Sequence, residues 1–229
     1  MNRLVENLHR IKNRIEEAAI RSGRTSEAVK LVAVTKYVDL ATTQQLVDAG
    51  QLDIGESRPQ VLWEKARGIS RAETRWHMIG HLQRNKVEKT VPLCNLIHSV
   101  DSIRLLKAID TAAAKHELIA SCLLEANISG EMSKHGFQAD ELEAVLEQAD
   151  SMKHIQIHGL MGMASLSGDL ADNRREFARL RQLKERLSQI ETDKIKLTEL
   201  SMGMSGDFEQ AIEEGSTLVR IGSVLFEGL

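Results

Sequence analysis

The sequence predicts an α/β fold, a single (β/α)8 TIM barrel with an additional N-terminal helix. Three observations lead there. About eight short strand-like apolar runs alternate with helical stretches, which implies parallel strands joined by right-handed crossovers. The chain has 229 residues, a length that one large barrel can occupy. Its two prolines, Pro59 and Pro92, mark no linker that would divide it. Residues 1–229 therefore read as one domain, with a helix over 2–22 and the barrel over 31–226.

Within 2–22, Leu4, Leu8, Ile11, Ile15 and Ala18 recur at the three-and-four spacing of one helical face, and Gly23 suits the stop. Leu31-Val32-Ala33-Val34-Thr35 is the β-branched run of a strand buried on both sides. A helix over about 40–49 ends at Gly50; Leu52–Gly55 is a second strand and 58–68 a second helix. Strand-like segments follow at 74–79, 95–100, 120–126, 155–160, 196–201 and 217–221. Helical ones lie at 102–117, 138–151, 172–191 and 207–214. In 172–191, Phe177, Leu180, Leu183 and Leu187 share a face. An open doubly wound sheet is the alternative, but its first turn is usually glycine-rich, and here the first strand runs into Thr35-Lys36-Tyr37.

Composition narrows the class. At 42% hydrophobic residues, the chain can bury a full core, which excludes disorder. No apolar run nears the ~20 residues of a membrane span, and the charged start Asn2-Arg3-Leu4-Val5-Glu6 is unlike a signal peptide. Cys94 and Cys122 are too few for a disulfide framework or a four-cysteine zinc site. The expected setting is the cytoplasm. A net charge of −3 and an aromatic content of 3%, with Tyr37 the lone tyrosine, argue against nucleic-acid binding.

A barrel carries its chemistry at the C-terminal strand ends. There stand Lys36, Glu56 and Ser57, Gly80 and His81, Asp101, Asn127, Met161 and Met163, Ser201 and Gly203, then Arg220 and Gly222. Lys36 closes a buried strand, where desolvation would free its amine for Schiff-base chemistry; the alternative is a lysine that snorkels to the rim. Leu200-Ser201-Met202-Gly203-Met204-Ser205 and Val219-Arg220-Ile221-Gly222-Ser223 put glycines and hydroxyls at the ends of strands seven and eight, where barrels hold phosphate. The alternative is two ordinary turns. Arg220 suits a phosphate or a heterocycle, or else a bridge to Glu199 or Asp207. His77 and His81, like His154 and His158, are four apart, but each pair straddles a strand, too separated to share an ion, so no metal is expected. Cys122 reads as inert core, and Met161 and Met163 as adaptable packing.

These residues, in order along the whole chain, resemble the YggS/PROSC family of pyridoxal 5'-phosphate homeostasis proteins. The matching segments include Leu31–Lys36, Ile54-Gly55-Glu56, Trp76–Lys86, His98–Ser102, Leu123–Asn127, Lys134-His135-Gly136-Phe137 and Gly159–Met163. The most specific are Leu200–Ser205 and Val219–Gly222. The resemblance implies a monomeric barrel like the N-terminal domain of alanine racemase, with Lys36 forming the internal aldimine of pyridoxal phosphate. It implies that Ser201, Gly222 and Ser223, with the Gly203 turn, hold the phosphate. Arg220 would meet the pyridine nitrogen, and Met161 and Ile79 would line the ring. Ser57 stands where the family usually has Asn, which shortens the reach to the ring oxygen. Phe226-Glu227-Gly228 replaces the usual Phe-Gly ending.

A cationic arginine at the ring nitrogen disfavours its protonation and weakens the electron sink, leaving racemase chemistry or none. A two-base racemase needs an acid/base opposite the lysine. Tyr37, on a continuing strand, would point away from Lys36. The expected function is thus a protein that holds the cofactor and exchanges it with free pools or apoenzymes. The rivals are a weak amino-acid racemase, a class I aldolase using Lys36, and a non-catalytic regulatory module. Surface lysines such as Lys134 leave a second cofactor site open.

Overall fold

Eight parallel strands pair in chain order and close on themselves in the computed structural model, which describes residues 2–128, 135–165 and 168–229. They are β1 (Lys30–Val34), β2 (Asp53–Glu56), β3 (Arg75–Met78), β4 (Leu96–Val100), β5 (Ala120–Glu125), β6 (Ile155–Met161), β7 (Ile195–Ser201) and β8 (Leu218–Ile221). The β1–β8 seam aligns Val32 with Arg220 and Ala33 with Ile221. The crossovers carry α2 (Leu40–Asp48), α3 (Pro59–Gly68), α4 (Val87–Thr90), α5 (Ile103–Lys115), α6 (Leu142–Asp150), α7 (Leu170–Leu187) and α8 (Phe208–Glu213). The expected (β/α)8 barrel is therefore present. The third crossover, for which the sequence suggests no helix, is a run of short turns around the single turn of α4. The α6 helix starts at Leu142 rather than near 138, after a turn in which Glu141 accepts from the Gln138 N–H.

The N-terminal helix α1 (Arg3–Arg21) lies against α8 on one side and touches α2 on the other. Among the described residues no α-helix follows β8, and α1 takes that helix's place in the outer layer. Leu4, Leu8, Ile11 and Ile15 are buried along its inner face, each worth about 1.5–3 kcal/mol of burial. Ion pairs Arg14–Glu209 and Arg21–Glu213 tie it to α8. The buried Asn7 donates from Nδ2 to the carbonyls of Leu225 and Glu227, which fastens the C-terminal segment. Among the described residues no helix is long and apolar enough to cross a membrane.

The larger core lies between strands and helices. A smaller one, Val32, Leu96, Leu123, Met161 and Leu218, fills the barrel, with Ile79 packed against it. Barrel interiors are commonly filled by layers of such residues. Here polar side chains interrupt them.

Candidate functional site

Five polar side chains run through the barrel from its N-terminal end to its mouth. His77 Nε2 is 3.0 Å from Asp53 Oδ1, His77 Nδ1 is 2.9 Å from His98 Nε2, and His98 Nδ1 is 2.8 Å from Ser201 Oγ. Arg220 donates to Ser201 Oγ at 2.6 Å and to the Gly162 carbonyl at 3.1 Å. All five residues are buried. Arginine can only donate and a carboxylate only accept, so one polarity satisfies every link with neutral rings. Ser201 gives its proton to His98, His98 Nε2–H gives to His77, and His77 Nε2–H gives to Asp53. Burial, then the neighbouring His77 and the charge of Arg220, hold His98 well below the usual imidazole pKa. Burial would raise the Asp53 carboxyl, but Arg75 and His77 hold it well below the carboxylate range. A cavity of ≈ 480 Å³ at this lower end is lined by Asp53, Arg75, His77 and His158 among others.

Arg220 reaches the interior because Leu218, two residues earlier on β8, already faces it. Burial lowers its guanidinium to about 10, against the raising effect of Glu125 and Asp207, so it is cationic at neutral pH. Asp207, buried, accepts from the Met204 N–H at 2.7 Å and from Asn173 Nδ2 at 3.1 Å. Burial raises its carboxyl, with Met204, Arg220 and Asn173 opposing. Neither bridge open to Arg220 is made: Glu199 accepts from Lys30 and Thr217, and Asp207, bonded to Met204 and Asn173, acts on Arg220 only through its charge.

Ser201 has no exposed surface, and both its hydrogen bonds serve this interior chain. The hydroxyl at the strand-eight glycine is that of Ser205, which accepts from the Gly222 N–H at 3.2 Å. Sequence reasoning passed over Ser205 although it stands in the same motif. Gly203 makes the turn between them at φ 90°, where a Cβ would sit 2.5 Å from Ala211 Cβ. Ser223 is exposed beside Gly222.

Lys36 follows β1 and is half-buried. Here the expected geometry of Tyr37 needs correcting. The strand ends at Val34, and Thr35 accepts from the Val38 N–H at 3.1 Å in a turn. Side-chain alternation therefore stops, and Lys36 Nζ lies 4.9 Å from the centre of the Tyr37 ring, which is 86% exposed. Beneath the turn lies a network that the sequence reading missed. Lys65 Nζ on α3 donates to Glu56 Oε1 at 2.6 Å and to the Thr35 carbonyl at 2.7 Å, and Thr35 Oγ1 donates to Glu56 Oε1 at 2.6 Å. Lys65 and Glu56 are buried, which anchors the lysine turn to β2 and α3.

Ser57 and Ile79 directly follow β2 and β3. Gly80 lets these ends meet, since a Cβ there would lie 2.4 Å from the Ser57 carbonyl oxygen. Met161 is fully buried, so the partly exposed Ile79 is the nearer of the two to the mouth. Glu125 on β5 is also buried, and its carboxyl is raised to about 7, first by desolvation and then by Asp101, with Arg220 and His81 opposing. His81 pairs with Asp101 rather than with His77. Lys134 lies outside the described residues.

Lys36, Arg220 and the Ser205–Gly222 contact thus end three neighbouring strands, β1, β8 and β7. They fit pyridoxal phosphate in kind: an amine for its aldehyde, a guanidinium for its ring nitrogen, and N–H and hydroxyl groups for its phosphate. A Cβ on Gly222 would come 3.2 Å from the Val34 carbonyl oxygen, a tight approach that glycine avoids.

Fold and site together define a barrel of the alanine racemase N-terminal type, and the family described as "Alanine racemase, N-terminal domain" matches residues 4–229. A curated pyridoxal phosphate homeostasis protein of Aquifex aeolicus is 35% identical over 221 residues, covering 96% of each chain. A solved structure of an unknown protein from Bifidobacterium adolescentis superposes with a TM-score of 0.92 at 36% identity, over 98% of this chain and 94% of that one. PipY of Synechococcus elongatus PCC7942, solved with PLP bound, gives a TM-score of 0.83 at 33% identity, over 97% and 99%. The chain belongs to the YggS/PROSC family of pyridoxal phosphate homeostasis proteins.

Proposed function

We propose that this protein binds pyridoxal 5'-phosphate at the barrel mouth and serves its homeostasis in the cytoplasm. As a monomer it would hold the cofactor on Lys36 for exchange with free pools or with apoenzymes, without robust catalysis. The observation that carries the reading is the convergence of Lys36, Arg220 and Ser205–Gly222 on three adjacent strand ends. The names of the relatives and the PLP-bound PipY structure support it.

When bound, the group supplies an aldehyde for condensation with amines and an electron-withdrawing ring. Lys36 anchors it, Gly222, Ser205 and Ser223 take the phosphate, and Ile79 and Met161 back the ring. Arg220 keeps a proton off the ring nitrogen because it is itself cationic, which weakens carbanion chemistry. The only tyrosine, Tyr37, lies beside the lysine rather than across from it, so it does not supply an opposed second base. A weak racemase is the second reading, favoured by the fold alone.

The test is a titration of the purified protein with pyridoxal phosphate. A Schiff-base absorption band is expected, and Lys36→Ala should lack it; a band unchanged in the variant overturns the assignment. In deuterated water an added amino acid should keep its α-proton. Multiple-turnover exchange there would establish the racemase instead.

A further inference from the structure

We infer that the mouth carries a second site, for a divalent transition-metal ion of the zinc class, built from His81, Asp101 and His135. The three come from adjoining parts of the C-terminal face: His81 after β3, Asp101 directly after β4, and His135 in the β5–α6 connection. His81 Nδ1 is 2.9 Å and His135 Nδ1 3.6 Å from the same oxygen, Asp101 Oδ2. The two imidazoles stack with centroids 4.6 Å apart at 21°, and both turn Nδ1 toward the one carboxylate oxygen. The three donor atoms all lie within 4.8 Å of one another.

Donors about 2.0–2.1 Å from a tetrahedral zinc ion lie about 3.3 Å apart. The two distances to Asp101 Oδ2 bracket that spacing, and a bound ion would turn the two imidazoles out of their stack so that both lone pairs converge on it. Two imidazoles and one carboxylate suit zinc, cobalt or ferrous iron, and suit magnesium or calcium poorly. Three protein ligands leave a coordination position for water or another ligand, as in catalytic rather than structural sites.

The surroundings favour a cation. The Asp101 side chain is 10% exposed, whereas those of His81 and His135 are 47% and 65% exposed. An ion thus has an open approach and a buried carboxylate to meet. The site does not depend on Lys36 or on the cofactor.

The experiment uses the full-length, chelator-treated protein titrated with Zn2+ by calorimetry and with Co2+ by visible absorption. One ion per chain is expected, with intense Co2+ bands, and without competition from Mg2+ or Ca2+. His81→Ala and His135→Ala should each weaken binding by more than about tenfold, the least that even an outer-shell partner costs. Asp101→Asn should do the same. Exposed as they are, the histidine variants should melt with the wild type. Absent Zn2+ binding in the wild type, or binding unchanged in the double variant His81→Ala/His135→Ala, overturns the site. In that case Asp101 accepts two imidazole N–H bonds and serves only to pin the loop.

Discussion

His98 Nδ1 and Ser201 Oγ, 103 residues apart in sequence, meet at 2.8 Å inside the barrel. Through that contact Arg220 at the mouth is braced against Asp53 at the opposite end. Replacing His98 with Leu leaves His77 Nδ1 and the Ser201 proton unpaired in a buried place. At about 1–3 kcal/mol for each of the two orphaned groups, His98→Leu should lose about 2–6 kcal/mol in urea unfolding. It should also disturb the spectrum of bound pyridoxal phosphate by loosening Arg220. Stability within 0.5 kcal/mol of wild type, the ordinary scatter of surface changes, would show the relay to be slack.

The Glu56–Lys65 pair makes a second case. Lys65→Ala would strand a carboxylate with no exposed surface, whose Oε2 already lacks a hydrogen-bond partner. Breaking such a pair costs about 3–5 kcal/mol, and the Lys36 turn loses its support, so cofactor affinity should fall too. The double variant Glu56→Leu/Lys65→Met should recover most of the stability. Equal losses in the single and double variants would contradict this.

Ser205 and Ser201 should separate in a ligand comparison. Ser205→Ala should weaken pyridoxal phosphate by about tenfold or more, as loss of a hydrogen bond to a charged group implies, while leaving unphosphorylated pyridoxal nearly unaffected. Ser201→Ala should lower stability and treat both ligands alike. Fluorescence titration with the two vitamers decides between them.

Stability should also depend on Glu125. Its carboxyl rises from the ordinary 4.5 to about 7 in the fold. Between those pH values the folded chain keeps a proton that the unfolded chain releases. This group therefore lowers stability as pH rises through that window, by up to about 3 kcal/mol. Glu125→Gln should flatten the slope of stability between pH 4.5 and 7. An identical slope in the variant would place the effect elsewhere.

The barrel was readable because its strands are short apolar runs separated by amphipathic helices, a local pattern. Lys36 and the glycines of the last two strands could be placed by counting from strand ends. Partners brought together by closure could not. Lys65 sits in a helix where lysine ordinarily means solvent, and only the β2–α3 packing reveals Glu56 behind it. His98 sits inside the uniformly buried β4, where nothing local distinguishes a relay from packing. Tyr37 was misplaced because the strand stops three residues before it. Ser201 and Ser205 differ by one turn of loop, too fine a difference for a motif read along one dimension.

The Asn7 clamp has a consequence for biogenesis. Asn7 and the Leu225 carbonyl it holds are 218 residues apart, so during synthesis α1 emerges long before its binding surface. Its apolar stripe of Leu4, Leu8, Ile11 and Ile15 stays without α8 and the C-terminal segment until nearly all of these residues are made. The β1 edge likewise waits for β8. A nascent chain stalled before residue 208 therefore presents a greasy helix and an unpaired strand together, a natural target for chaperones and proteases.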